Sequence, residues 1–229
     1  MTTFIPRTDI LPPAQWQLWP HLTEVTRQGF VLYGGTAIAL RLGHRVSVDF
    51  DFFHHVPLNR DRLREACPFM ASATVLQDQA DALTILVPVE GAFVKVSFLA
   101  PIRFGRVGHP QYTVDKVLEV AAFEDLMATK LKVIPQRAEA KDYLDIAAMI
   151  SAGQDLATGL AASSILYGAN FQPSESLKAL TFYGEGDLED LPATIKRKLT
   201  KAVSTVGDLP DVARVDHRLS SEVRQAGSI

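Results

Sequence analysis

An α+β fold is what this sequence predicts: a mixed sheet with flanking helices, followed by a helical C-terminal half. Three observations carry that expectation. Short apolar runs, some alternating with period two, are interleaved with helical stretches up to about residue 114. From Glu119 onward, five longer segments all read as helices. Prolines and glycines fall between the segments rather than within them.

In order, the proline-containing opening (Pro6, Pro12, Pro13) leads into a helix over 14–28 that ends near Gly29. Residues 30–33 form a short apolar strand. Residues 36–42 are rich in helix formers, and Gly43 stops them. Residues 46–53 alternate as a strand does, with Val46, Val48 and Phe50 on one face and Ser47, Asp49 and Asp51 on the other. A short amphipathic helix over 59–66 follows. Strands over 83–89 and 93–99 come next, joined by Glu90-Gly91 as a hairpin turn. The helices of the second half span 119–133, 138–150, 156–167, 174–182 and 192–206, broken at Pro135, Gly153, Gly168, Pro173, Gly184 and Gly186. The segment after Leu209 is polar and expected to be loose. Residues 1–114 thus read as an α/β core and 115–229 as a helical region.

The bulk properties narrow the functional classes. A chain of 229 residues with 47% hydrophobic and 21% charged residues has the makings of an ordinary globular core. A net charge of -3 excludes a globally basic nucleic-acid binder, though a local patch such as Lys196, Arg197, Lys198 and Lys201 remains available. That patch reads first as a solvated helix face. The single cysteine, Cys67, forms no internal disulfide, which predicts a reducing compartment. No run approaches the ~18 consecutive apolar residues of a membrane helix. The opening residues lack the basic start and apolar core of a signal peptide. A cytoplasmic protein is expected.

One stretch carries chemistry. In "YGGTAIALRLGHRVSVDFDFF", residues 33–53, a glycine pair precedes two aspartates spaced by one residue. Alternation along a strand puts Asp49 and Asp51 on one face with Cα atoms roughly 6.5 Å apart. Like charges that close oppose each other's ionisation unless a cation sits between them. Mg²⁺ (or Mn²⁺) suits the task, because it takes carboxylate oxygens, keeps several waters and completes its shell with phosphates. Gly34-Gly35, between a strand and a helix, allows close backbone approach and offers helix-start N–H groups to phosphate oxygens. Thr36 adds a hydroxyl at the same place, and His44 and Arg45 are within reach of phosphates. Either half alone is common in turns and solvated strands; the combination points to an NTP and its metal. His54-His55 lacks the ligand spacing of a zinc site.

A second constellation lies downstream. Lys130 falls in one helix, and Arg137, Lys141, Asp142 and Asp145 follow beyond Pro135. Asp142 and Asp145 are i, i+3 neighbours, and Lys141 can pair with Asp145 at i, i+4. By pattern alone this is a charged helix surface with ordinary salt bridges.

Together, "GGTAIALRLGHRVSVDFDFF" and "ATKLKVIPQRAEAKDYLDIAAMI" resemble the AbiEii/AbiGii toxin-type nucleotidyltransferases, of the DNA polymerase β-like superfamily, over residues 25–200. The resemblance implies a nucleotidyltransferase-like sheet, with the helical half completing the active-site cleft. It also implies Mg-dependent transfer of NMP from an NTP to an acceptor hydroxyl, with tRNA or other RNA as acceptor. A toxin-like role beside a cognate antitoxin follows from it too. It casts Asp49, Asp51, Lys130 and Asp142 as catalytic, with Asp49 and Asp51 also binding the metal. Gly34, Gly35, Thr36, Arg45, Arg137, Lys141 and Asp145 become nucleotide or phosphate ligands. Lys130 would neutralise charge on the transferred phosphate, and Asp142 would orient Lys130 or act as base; for Arg137 a surface role weighs equally. The pattern departs from the superfamily at "GAFVKVSFLAP", whose outward positions are Lys95 and Ser97, with Ser97 where many members carry a third carboxylate. The alternatives are a small-molecule (aminoglycoside-type) adenylyltransferase and a catalytically inactive nucleotide-binding scaffold.

Overall fold

A computed structural model describes residues 2–221. The end of the polar tail, 222–229, lies outside the described residues. The chain divides into two compact units. The first comprises 2–105, 109–121 and 216–221; the second comprises 106–108 and 122–215.

The first unit is built on one eight-stranded mixed sheet. Its strands are β1 (Thr3–Phe4), β2 (Val31–Tyr33), β3 (Asp49–Phe53), β4 (Thr74–Gln79), β5 (Ala82–Val89), β6 (Ala92–Leu99), β7 (Gln111–Thr113) and β8 (Glu119–Val120). They are ordered β1-β7-β8-β2-β3-β6-β5-β4. The pairs β1–β7, β2–β8 and β3–β6 are parallel, and the other neighbours antiparallel. The aspartate strand β3 therefore runs inside the sheet, between β2 and β6.

Period-two alternation fixes which face of β3 is core. Phe50 and Phe52 are fully buried beside Val96 and Phe98 of β6, and the rings of Phe52 and Phe98 stack at 5.8 Å. A strand with that much apolar surface on one face is pinned in register, since a one-residue slip would turn both rings to solvent and both aspartates inward. The strand begins at Asp49 rather than at Val46. Val46 and Val48 are both exposed, and the pairing with β6 begins at Asp49.

Four α-helices accompany this sheet: α1 (Pro13–Leu18), α2 (Thr23–Arg27), α3 (Gly34–Leu42) and α4 (Arg60–Ala66). The single helix expected over 14–28 is broken at Trp19–Leu22, a 3-10 turn that contains Pro20. Proline brings no N–H to the helical ladder and crowds the preceding turn. Asn59 caps α4, its side chain accepting from the Arg62 N–H at 3.0 Å. The β5–β6 hairpin turns at Glu90-Gly91 as expected, both with positive φ (40° and 81°), which is the twist a two-residue hairpin favours. The helix expected from 119 starts instead at Phe123. Residues 119 and 120 are claimed by β8, where Glu119 pairs with Tyr112 and its buried carboxylate accepts from the Ser221 N–H at 2.7 Å.

The second unit is helical: α5 (Phe123–Val133), α6 (Ala140–Ser151), α7 (Leu156–Tyr167), α8 (Pro173–Ala179) and α9 (Ala193–Ser204). Asp155 caps α7, accepting from the Thr158 N–H at 2.9 Å. Gly159 lets α7 press on α5, where a Cβ would strike Met127. Asp125 of α5 is buried and accepts from the N–H groups of Val107 and Gly108 at 2.8 and 3.1 Å, tying the 106–108 segment to this unit. Burial pushes the Asp125 carboxyl up to about 6 against the pull of those two bonds. Among the described residues, no helix is long and apolar enough to cross a membrane.

Candidate active site

Strand β2 runs directly into α3, and the two glycines sit at that junction. Gly34 has φ +73°, a left-handed conformation that side chains resist, and a Cβ there would lie 2.5 Å from Asp51 Oδ2. At Gly35 a Cβ would strike the Arg45 guanidinium. The space both glycines leave is thus taken by one carboxylate and one cation from the segment that follows the helix. No side chain caps the start of α3 and no acidic residue lies in its first turn. Its leading N–H groups, with the Arg45 guanidinium beside Gly35, make a local positive field suited to an anion.

Thr36 turns inward. It is buried, its hydroxyl donates to the Asp49 carbonyl, and it lies 2.9 Å from the Ser47 hydroxyl. The hydroxyl that the sequence offers to phosphate ties α3 to the start of β3.

Asp49 and Asp51 share the face of β3 opposite the phenylalanines. In the parallel register Asp49 stands beside Lys95 and Asp51 beside Ser97, while Tyr33 of β2 flanks Asp51 on its other side. The Lys95 ammonium lies 2.8 Å from Asp49 Oδ2, with the two side chains 39% and 31% exposed. The alternation of "GAFVKVSFLAP" signalled which residues face the aspartates, but not that Lys95 would bind one of them. Among the described residues no group of three or more His, Cys, Asp or Glu converges as a metal cage. Two neighbouring, partly exposed carboxylates fit a hard cation that keeps water and shares phosphate oxygens, rather than one enclosed by protein.

His54, the residue that follows β3, packs on Phe30 with ring centroids 4.8 Å apart. Burial, then the neighbouring His55, pulls its pKa down to about 4, so it is neutral near pH 7.

The Lys130 cluster belongs wholly to the second unit. Lys130 of α5 reaches Asp142 and Asp145 of α6 at 2.6 and 2.7 Å, and both carboxylates are fully buried. Arg137 adds a fork onto Asp142, Nε to Oδ2 at 2.8 Å and Nη2 to Oδ1 at 3.2 Å. The charged helix surface expected from pattern alone is therefore an interior network. Lys141 does not pair with Asp145; it turns outward to Glu139 at 2.8 Å while Asp145 turns in to Lys130. On α9, Lys196 donates to the Glu189 carbonyl at 2.8 Å, and Arg197, Lys198 and Lys201 are exposed.

Residues 22–216 match the model of the nucleotidyl transferase AbiEii toxin family, of type IV toxin–antitoxin systems. An uncharacterised protein of Aquifex aeolicus is 31% identical over 119 residues, covering 51% of this chain and 55% of that one. The chain thus spans about half the length of the curated relative it matches. Among solved structures, the nucleotidyltransferase toxin MenT4 of Mycobacterium tuberculosis is similar with a TM-score of 0.43 and 16% identity. That match covers 81% of this chain and 89% of MenT4, and the likeness is too distant to argue from. Because the family match spans the glycine pair, the aspartate pair and the Lys130 cluster alike, the chain belongs to the AbiEii family.

Proposed function

We propose that this protein is a divalent-metal-dependent nucleotidyltransferase that moves NMP from an NTP to an acceptor hydroxyl. In this reading it serves as the toxin of a type IV toxin–antitoxin pair, with tRNA or another RNA as acceptor and a cognate antitoxin as partner. The observation that carries the reading is the juxtaposition, in one unit, of Asp49 and Asp51 with the glycine-opened start of α3.

In the reaction the acceptor oxygen attacks the α-phosphorus, forming a new P–O bond. The bond from that phosphorus to the bridging oxygen breaks, pyrophosphate leaves, and the hydroxyl proton passes to solvent. The N–H groups at Gly34 and Gly35 and the Arg45 guanidinium bind triphosphate oxygens. Asp49 and Asp51 are the residues that would hold Mg²⁺ or Mn²⁺, and the ion would supply Lewis-acid charge to the phosphates. Thr36 positions Asp49 through the backbone of β3.

For the second cluster, an ammonium has three N–H donors, and Asp142 and Asp145 account for two at Lys130. We assign this cluster, with both carboxylates fully buried, to holding α5 and α6 together within the helical unit. Buried and doubly bonded to cations, Asp142 fits that holding role better than that of a base. Arg137 and Lys141 are its outer members.

The test incubates the protein with Mg²⁺, each α-labelled NTP in turn and total RNA, beside an Asp49→Asn/Asp51→Asn double variant. Label entering RNA with the wild type alone is the expected result. No transfer from any of the four NTPs, or equal transfer by the double variant, would overturn the reading.

A further inference from the structure

We infer that the face of α9 carrying Arg197, Lys198 and Lys201 binds the phosphate backbone of an RNA, as a sequence-independent anchor within the helical unit. The inference rests on the reading of RNA as acceptor given above and adds which residues of this chain hold it.

Helix geometry sorts the four cations of this segment. Leu199 is fully buried and Ile195 half-buried, so they mark the inner face of α9. Arg197, Lys198 and Lys201 are exposed, and at about 100° per residue they gather within roughly 100° of arc on the other side. Lys196 falls outside that arc. It is half-buried, donates to the Glu189 carbonyl at 2.8 Å and lies 5.4 Å from the centroid of the Tyr183 ring.

The three exposed cations differ from those of other helices in having no carboxylate partner. On α2, α4 and α8 a cation pairs with an acid three residues away, as Arg27–Glu24, Arg64–Asp61 and Lys178–Glu175. Lys141 of α6 takes Glu139. By contrast α9 contains no acidic residue, and among the described residues Arg197, Lys198 and Lys201 form no ion pair. Lys198 is nonetheless held in place, donating to the neutral hydroxyl of Ser151 on α6. Lys198 and Lys201 line an open cleft of about 240 Å³ with Ile150, Leu156 and Ala202. A concave wall carrying one sign of charge focuses the field outside it. The one carboxylate on that cleft, Asp155, is engaged by the N–H and hydroxyl of Thr158, each at 2.9 Å.

A row of uncompensated cations on a chain of net charge -3 matches a run of phosphates, each taking an ammonium or a forked guanidinium. Such contacts position a nucleic acid without reading its bases. A membrane is a poorer match. A helix lying in a lipid surface must bury an apolar face there, and the apolar face of α9 is turned into the helical unit.

Fluorescence anisotropy of a labelled tRNA with the full chain, in EDTA and without NTP, tests this apart from turnover. Affinity is followed from about 50 to 200 mM salt. The Arg197→Gln/Lys198→Gln/Lys201→Gln variant should bind at least about tenfold more weakly, with the slope of log affinity against log salt shallower by about two to three. Lys198→Arg/Lys201→Arg, which keeps the charge, should match wild type. Circular dichroism checks each fold. If the triple variant fails to fold, Arg197→Gln and Lys201→Gln singly should each make the slope shallower by about one. Affinity and slope equal to wild type in the glutamine variants would overturn the inference and leave RNA standing as acceptor. Wild type that binds polyglutamate or anionic vesicles more tightly than tRNA would overturn it in favour of an acidic protein or a membrane. Wild type that binds no tRNA would overturn both the inference and the RNA acceptor, while NTP transfer is judged separately by the label assay.

Discussion

The molecule contains two lysine–aspartate clusters of similar composition and opposite design. In the first unit Lys95 meets Asp49 at 2.8 Å with both side chains about one-third exposed. In the second, Lys130 meets Asp142 and Asp145 at 2.6 and 2.7 Å with both carboxylates at zero exposure. The exposed pair is weakly held, because water competes for both partners, and a ligand can replace it at small cost. The buried network is held by its own completeness: each charge was stripped of water, and removing one leaves the others uncompensated. One set of residue types thus makes an exposed, replaceable pair in one place and a structural clasp in the other.

The largest break in that comparison is expected from Lys130→Met. It takes from two buried carboxylates the ammonium they share, and urea unfolding should show a loss of about 3–5 kcal/mol. Asp49→Asn should do the reverse. Transfer should fall by about 100-fold or more, as for loss of a charge-stabilising group in a transferase site, while unfolding free energy moves by less than about 1 kcal/mol. Between these lies Gly34→Ala. Strain at φ +73° and collision with the Asp51 carboxylate should cost about 1–2 kcal/mol in urea unfolding and weaken Mn²⁺ binding several-fold, measured by titration with Mn²⁺ and electron paramagnetic resonance of the free ion.

Acid should act on the two units with opposite sign. His54, depressed to about 4, contributes stability that is present above its ordinary pKa of 6.5 and lost as pH falls through about 4. Asp125, raised to about 6, contributes stability that is full below 3.8 and lost as pH rises through about 6. Unfolding measured from pH 4 to 7 should therefore become less acid-sensitive in His54→Gln and more acid-sensitive in Asp125→Asn. The smallest effect belongs to Lys141→Ala, whose exposed pair with Glu139 should leave stability within about 0.5 kcal/mol of wild type by the same urea measurement.

The first cluster was legible because its signals are local. Gly34-Gly35 between an apolar run and a helix, and Asp49 and Asp51 alternating with Phe50 and Phe52, encode the junction and the face within twenty residues. Alternation in β6 likewise placed Lys95 and Ser97 opposite the aspartates. The second cluster was not legible as a buried network. Lys130 and Asp142 are joined across two helices, and the spacing of Lys141, Asp142 and Asp145 fits a solvated face equally well. The inward turn of Thr36 depends on a carbonyl thirteen residues away, which no local pattern reports. Strand β4 is exposed throughout and β7 and β8 are two or three residues long, so none carries an apolar alternation to read. Pro20 was a local signal, and it broke the first helix where proline chemistry requires.

The central claim, that the Asp49 cluster binds while the Lys130 cluster holds, is tested most directly by thermal unfolding of wild type and Asp49→Asn. Each is melted with and without Mn²⁺ and a mixture of the four NTPs. A ligand present at a hundred times its Kd stabilises by about 2.7 kcal/mol, a shift of several degrees in Tm for a domain of this kind. The account predicts that shift in wild type and its loss in Asp49→Asn, with the two ligand-free proteins melting within about 3 °C of each other. An undiminished shift in Asp49→Asn, or none in wild type, would contradict it.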